Sequence, residues 1–126
     1  MPEEYTKLVT ALKALEQVVD PQANPPKKIT LPMAEDVFDI PPKDESYGTV
    51  RLDFEADALG GDDGKPNTAY EGSVDLYSSD RNGAGWIELI RDTLTEYCAG
   101  CWSLNTHLYE RQTGLFHWEW AFQVED

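Results

Sequence analysis

Leu115-Phe116-His117-Trp118-Glu119-Trp120-Ala121-Phe122-Gln123-Val124 places Phe116, Trp118, Trp120, Phe122 and Val124 at every second position. A period of two is that of a strand, so all five side chains share one face. A face this apolar must be covered, by helices or by another subunit. Just upstream, Gln112-Thr113-Gly114 supplies a short turn with a glycine free to take a positive φ. Before it, Cys101 to Arg111 alternates Trp102, Leu104, Thr106 and Leu108 against Ser103, Asn105, His107 and Tyr109. The chain therefore ends in a hairpin, and strict alternation puts both His107 and His117 on the face away from the tryptophans.

Working outward, a helix is predicted from about Gly83 to Tyr97, with Trp86, Ile87, Ile90, Leu94 and Tyr97 as its buried stripe. Asp80 or Asn82 caps it, and Cys98-Ala99-Gly100 ends it. An earlier hairpin pairs Tyr47–Ala56 with Ala69–Ser78. Val50, Leu52, Phe54 and Ala56 oppose Arg51, Asp53 and Glu55 in the first strand; Tyr70, Gly72, Val74 and Leu76 oppose Glu71, Ser73, Asp75 and Tyr77 in the second. Its tip, 57–68, is rich in Gly and Asp. At the front, Tyr5, Leu8, Leu12, Leu15 and Val19 recur at helical spacing, and Asp20-Pro21 stops the helix.

Between that helix and the first hairpin, residues 20–46 hold six of the eight prolines. Such a stretch reads as an extended arm or lid, with short strands possible at Ile29-Thr30-Leu31 and Asp36-Val37-Phe38. The expected whole is one α+β domain over 1–126: helix 1–19, arm 20–46, and a hairpin-helix-hairpin core 47–126. Its architecture is an antiparallel sheet of four to five strands with two helices packed on one face.

Size and charge narrow the function. A chain of 126 residues has room for one core. A formal charge of −14, from 24 acidic and 10 basic residues, repels phosphate backbones and anionic membrane surfaces. No run approaches the roughly 20 apolar residues of a membrane span. Met1-Pro2-Glu3-Glu4 is acidic where a secretory signal is basic, which predicts a protein kept in a cytosol.

Candidate chemistry is sparse. Cys98 and Cys101 form a CxxC, but the pair closes a helix, at the dipole end that disfavours a thiolate. A structural zinc needs four ligands, and only His107 and His117 remain to complete a set. Asp57, Asp62 and Asp63 lack the spacing of a calcium loop. Gly60-Gly61 lacks the lysine and hydroxyl of a phosphate loop. Glu110 and Glu119 form a general acid/base pair only if they share a cleft. No catalytic, cofactor-binding or metal residue is assigned, and no enzyme is expected. The remaining candidates are a partner-contact loop with Asp57, Asp62, Asp63 and Lys65, and the aromatics Phe116, Trp118, Trp120 and Phe122 as core or as subunit interface.

The second half, from Tyr47-Gly48 through Tyr70-Glu-Gly-Ser-Val-Asp-Leu-Tyr77, Trp86-Ile-Glu-Leu-Ile90, Leu108-Tyr109-Glu110 and Leu115–Phe122, resembles tail terminator (tail completion) proteins of long-tailed bacteriophages. The resemblance covers about residues 47 to 126, and the first helix by position. It implies a ring, commonly a hexamer, at the head-proximal end of the tail. Such a ring ends tail-tube polymerisation and offers a surface to head-completion or connector proteins. The implied partners are copies of itself, the tail tube protein and the neck proteins, with DNA passing without specific binding. The implied location is the virion, after assembly in the host cytoplasm. The alternative is a stand-alone acidic binding protein, an inhibitor or nucleic-acid mimic seated in a basic groove.

Overall fold

The computed structural model describes residues 3–56 and 69–125. Helix α1 spans Glu3–Lys13, with Glu3 and Glu4 in the first turn, where the dipole favours them. Tyr5, Leu8, Val9 and Leu12 form its buried stripe. The helix ends well short of the expected Val19. Strand β1, Glu16–Asp20, follows, and pairs antiparallel with β2, Lys27–Thr30. Val18 and Val19 are β-branched and favour extended backbone once a partner strand is available. The arm supplies that partner by folding back through Pro21, Pro25 and Pro26.

The arm then enters the main sheet. Leu31 is buried, and its N–H donates to the Leu15 carbonyl at 3.3 Å. Strand β3, Met33–Glu35, runs parallel to β4, Ser46–Ala56. The expected strand at Asp36-Val37-Phe38 is not formed: Asp36 takes φ 64°, a left-handed turn that ends β3. Strands β5, Ala69–Ser78, β6, Trp102–Glu110, and β7, Leu115–Glu125, complete a five-stranded sheet in the order β3-β4-β5-β7-β6. The sheet is thus mixed where an antiparallel one was expected. The parallel strand comes from the arm, which crosses to the start of β4 through residues 36–45.

Helix α2, Trp86–Tyr97, is preceded by a 3-10 turn at Gly83–Gly85. Asp80 holds that turn, accepting from Asn82 N–H at 3.1 Å and Ala84 N–H at 3.0 Å, and Asn82 caps nothing with its side chain. Trp86, Ile90 and Leu94 pack with the α1 stripe over Val50, Val74, Leu76, Trp118, Trp120 and Phe122. Both helices therefore cover one face of the sheet. Gly72 permits this closeness, because the Phe122 ring lies 2.5 Å from where a Cβ would sit.

Two register shifts alter the facing of side chains. One lies between Leu52 and Phe54 on β4, the other between Leu104 and Thr106 on β6. Beyond the second, His107 pairs with Trp118 and Leu108 with His117. An inserted residue moves every later side chain to the other face. His107 therefore sits on the tryptophan side, with its ring stacked on Trp118 at 4.8 Å. The expectation that both histidines share the outer face is wrong for His107 and right for His117.

Candidate functional site

Among the described residues, the face of the sheet opposite the helices carries the densest group of interacting polar side chains. Alternation points Tyr47 and Arg51 of β4, Ser73, Asp75 and Tyr77 of β5, and His117 and Glu119 of β7 outward together. Register sets them side by side: Tyr47 with Tyr77, Tyr77 with His117, Asp75 with Glu119. Asp75 is only 2% exposed although no helix covers it. Its neighbours shield it.

His117 Nε2 lies 2.6 Å from Asp75 Oδ1, and its Nδ1 lies 3.2 Å from Glu110 Oε2. Arg51 Nε donates to Asp53 Oδ1 at 2.7 Å, while its Nη1 and Nη2 reach Asp75 at 3.4 Å and Glu119 at 3.3 Å. An aromatic row runs beside them. Phe38 meets Tyr47 edge-on at 5.6 Å, Tyr47 stacks on Tyr77 at 5.1 Å, and Tyr77 stacks on His117 at 4.3 Å. The hydrogen bond that His117 donates to Asp75 raises its pKa above the usual value, outweighing the burial that opposes charge. Burial, with Asp75 and Glu110 nearby, pushes Tyr77 up to about 12.

This geometry pairs each of these charges with another. With each ring nitrogen facing a carboxylate, His117 has no free nitrogen for a substrate proton. Ser73 Oγ donates to Asp53 at 3.4 Å, and no histidine activates it. Glu110 and Glu119 do not form a general acid/base pair; each serves its own cation, His117 and Arg51. A hollow of ≈ 580 Å³ lies between the β4 and β6 register shifts, bordered by Asp53 and Glu71. Its carboxylates are already taken, Asp53 by Arg51 and Glu71 by Gln123 at 2.7 Å.

The remaining sequence candidates separate cleanly. Trp118, Trp120 and Phe122 are 3%, 1% and 2% exposed and lie in the core, whereas Phe116 is half-buried against the exposed Tyr109. Cys98 is buried at the end of α2, and that burial pushes its thiol up to about 12, so it stays protonated at neutral pH. Cys101 is exposed, and neither cysteine is in a disulfide. Among the described residues no group of three His, Cys, Asp or Glu side chains could hold a metal ion. The loop candidates Asp57, Asp62, Asp63 and Lys65 lie outside the described residues. The Asp75–His117–Arg51 network escaped the sequence reading. Its only signal was the outward position of these residues, since their proximity depends on strand register.

His117 makes the stability of the fold depend on pH. A pKa raised on folding stabilises the native state fully below the unfolded value of about 6.5 and ceases to do so as pH rises through the folded value. Urea midpoints should therefore fall from mildly acidic to alkaline pH, and His117→Gln should flatten that slope. A slope unchanged in His117→Gln would show that other groups set it.

Fold and face together define a two-layer α+β domain whose open sheet face carries a network of mutually paired charged side chains. Neither a comparison with protein-family models nor one with curated proteins finds a match for this chain. Among the described residues no helix is long and apolar enough to cross a membrane.

Proposed function

We propose that this chain is a structural protein of a long-tailed bacteriophage that forms a ring at the head-proximal end of the tail. There it ends tube polymerisation and joins the tail to the head. The observation that carries this reading is the distribution of exposed apolar side chains. Val18, Val19, Ile29, Val37 and Ile40 lie along residues 18–40, and Leu104, Leu108 and Tyr109 lie on β6. Large apolar side chains exposed along two separate stretches of the chain suit contacts with protein. The order helix, arm, hairpin, helix, hairpin, on which the resemblance to tail terminators rests, is also compatible with it. A net charge of −14 suits a channel wall that DNA must pass without adhering.

The test is to delete the gene in the phage that encodes the chain and image the lysate by electron microscopy. Expected are tubes of uncontrolled length and filled heads without tails. Tails of normal length on joined heads would overturn the proposal. The same charge favours a second reading, a stand-alone acidic protein, monomer or dimer, occupying a basic groove. That reading requires a stable complex with a basic partner and no assembly beyond a dimer.

A further inference from the structure

Residues 36–45 cross the open face of the sheet from the end of β3 to the start of β4, and both ends of the crossing are tied down. Asp36 N–H donates to the Val50 carbonyl at 2.8 Å, and Ser79 N–H to the Glu45 carbonyl at 3.0 Å. Between these ties Phe38 meets Tyr47, at the head of the ring row that continues through Tyr77 to His117. Crossing and row border a hollow of ≈ 230 Å³, whose lining includes Val37, Phe38, Pro41, Tyr47, Arg51 and Tyr77. Val37 is 70% exposed and Ile40 81%, the two highest values among the exposed large apolar side chains of the described residues. An apolar patch rimmed by polar groups marks a contact site.

We infer that this hollow, with the aromatic row beside it, is a docking site for a proline-rich, arginine-bearing segment of another protein. Three features select that occupant. First, the lining already accepts one pyrrolidine ring, because the chain's own Pro41 lies there with Phe38, Tyr47 and Tyr77. Aromatic-lined grooves seat polyproline segments, which arrive extended and lose little freedom on binding. Second, the carbonyls of such a segment have no partner of their own. Burial keeps Tyr47 and Tyr77 protonated at neutral pH, so both hydroxyls can donate to them. Third, the charge is complementary. The crossing carries Asp36, Asp39, Asp44 and Glu45 against the single Lys43. The sheet beneath it presents Asp53, Asp75, Glu110 and Glu119 against Arg51 and His117. That excess of carboxylates attracts a basic segment and repels nucleic acid. Arginine suits it better than lysine, since a flat guanidinium stacks on rings and forks to carboxylates. The site belongs to a single copy of the chain and does not depend on ring formation.

Calorimetry on the full chain tests this with three synthetic peptides of four repeats each: Arg-Pro-Pro, Glu-Pro-Pro and Arg-Gly-Gly. The first should bind one-to-one, the second not at all, and the third roughly tenfold or more weakly than the first. Phe38→Ala should weaken the first by roughly tenfold or more. Val37→Ser removes an exposed wall of the hollow without touching the core, and keeps the test open where Phe38→Ala disturbs the fold by circular dichroism. Asp36→Asn with Asp39→Asn keeps shape at two exposed positions, and should weaken binding roughly threefold or more while flattening its dependence on salt. Equal binding of the Arg-Gly-Gly peptide would mean that charge alone attracts it, and would overturn the inference. So would binding that neither Phe38→Ala nor Val37→Ser weakens, or no binding by the parent at millimolar peptide. A parent oligomer that Phe38→Ala turns into monomers would give the face to a second copy and overturn it as well. The tail reading is decided separately, by the gene deletion.

Discussion

Replacing Trp120 with alanine is expected to lower the unfolding free energy by about 3–5 kcal/mol, a large share of the roughly 5–15 kcal/mol typical of such a domain. Trp120 is 1% exposed on β7, paired with Val74 on one side and Leu104 on the other. The helix residues that cover it are fixed by their own packing, so the space left by an indole cannot fully collapse. With an m-value of about 2 kcal/mol/M the urea midpoint should fall by roughly 2 M. Trp102→Ala is the control. That ring is only half-buried, its Nε1–H donates to Thr95 Oγ1 at 2.9 Å, and Arg91 lies 5.4 Å above it. About 1–2 kcal/mol is expected there. Equal costs for the two would mean that Trp120 is not core in the isolated chain, and would return the aromatic stripe to the interface reading.

The elements that patterned themselves were the ones with local cause. Trp118, Trp120 and Phe122 alternate without interruption, and β7 has no register shift against β5, so periodicity alone placed them. The α2 stripe likewise follows from helical spacing. Where the sequence reading failed, the deciding contact was distant. Leu15 and Val19 continue the α1 period, but Val18 and Val19 turn to strand because Lys27–Thr30 comes back to pair with Glu16, Gln17, Val18 and Asp20, Val19 falling at a register shift. On β6 the register shifts where Asn105 adds a residue that alternation cannot reveal, and His107 changes face as a result. The parallel β3 is set by its pairing to β4, across a proline-rich crossover. The outer network is the extreme case: Asp75 meets Arg51 from 24 residues away and His117 from 42, and Arg51 reaches Glu119 across 68. Alternation turned these residues outward and left their proximity to the order β4-β5-β7.

Asp75→Ala is expected to be the second most damaging of these changes, at about 2–4 kcal/mol near pH 6. Breaking a buried pair from one side costs about 3–5 kcal/mol, because the remaining charge loses its partner while still out of water. Two facts set the value here. His117 keeps Glu110 on Nδ1, which lowers the cost, and its side chain is only 14% exposed, which maintains it. The Arg51 contact adds little. Its side chain is 43% exposed and retains Asp53 and Glu119, so solvent screening leaves under about 1 kcal/mol for its bond to Asp75. Arg51→Ala should accordingly cost much less than Asp75→Ala, although Arg51 touches three carboxylates and His117 two. The loss in Asp75→Ala should also shrink as pH rises, because the pair with His117 contributes only while the imidazole holds its added proton. A double-mutant cycle between positions 75 and 117, read from urea midpoints at acidic and alkaline pH, measures this. A coupling that is strong at both ends of the range would mean that a neutral hydrogen bond, not charge, joins the two strands on the open face.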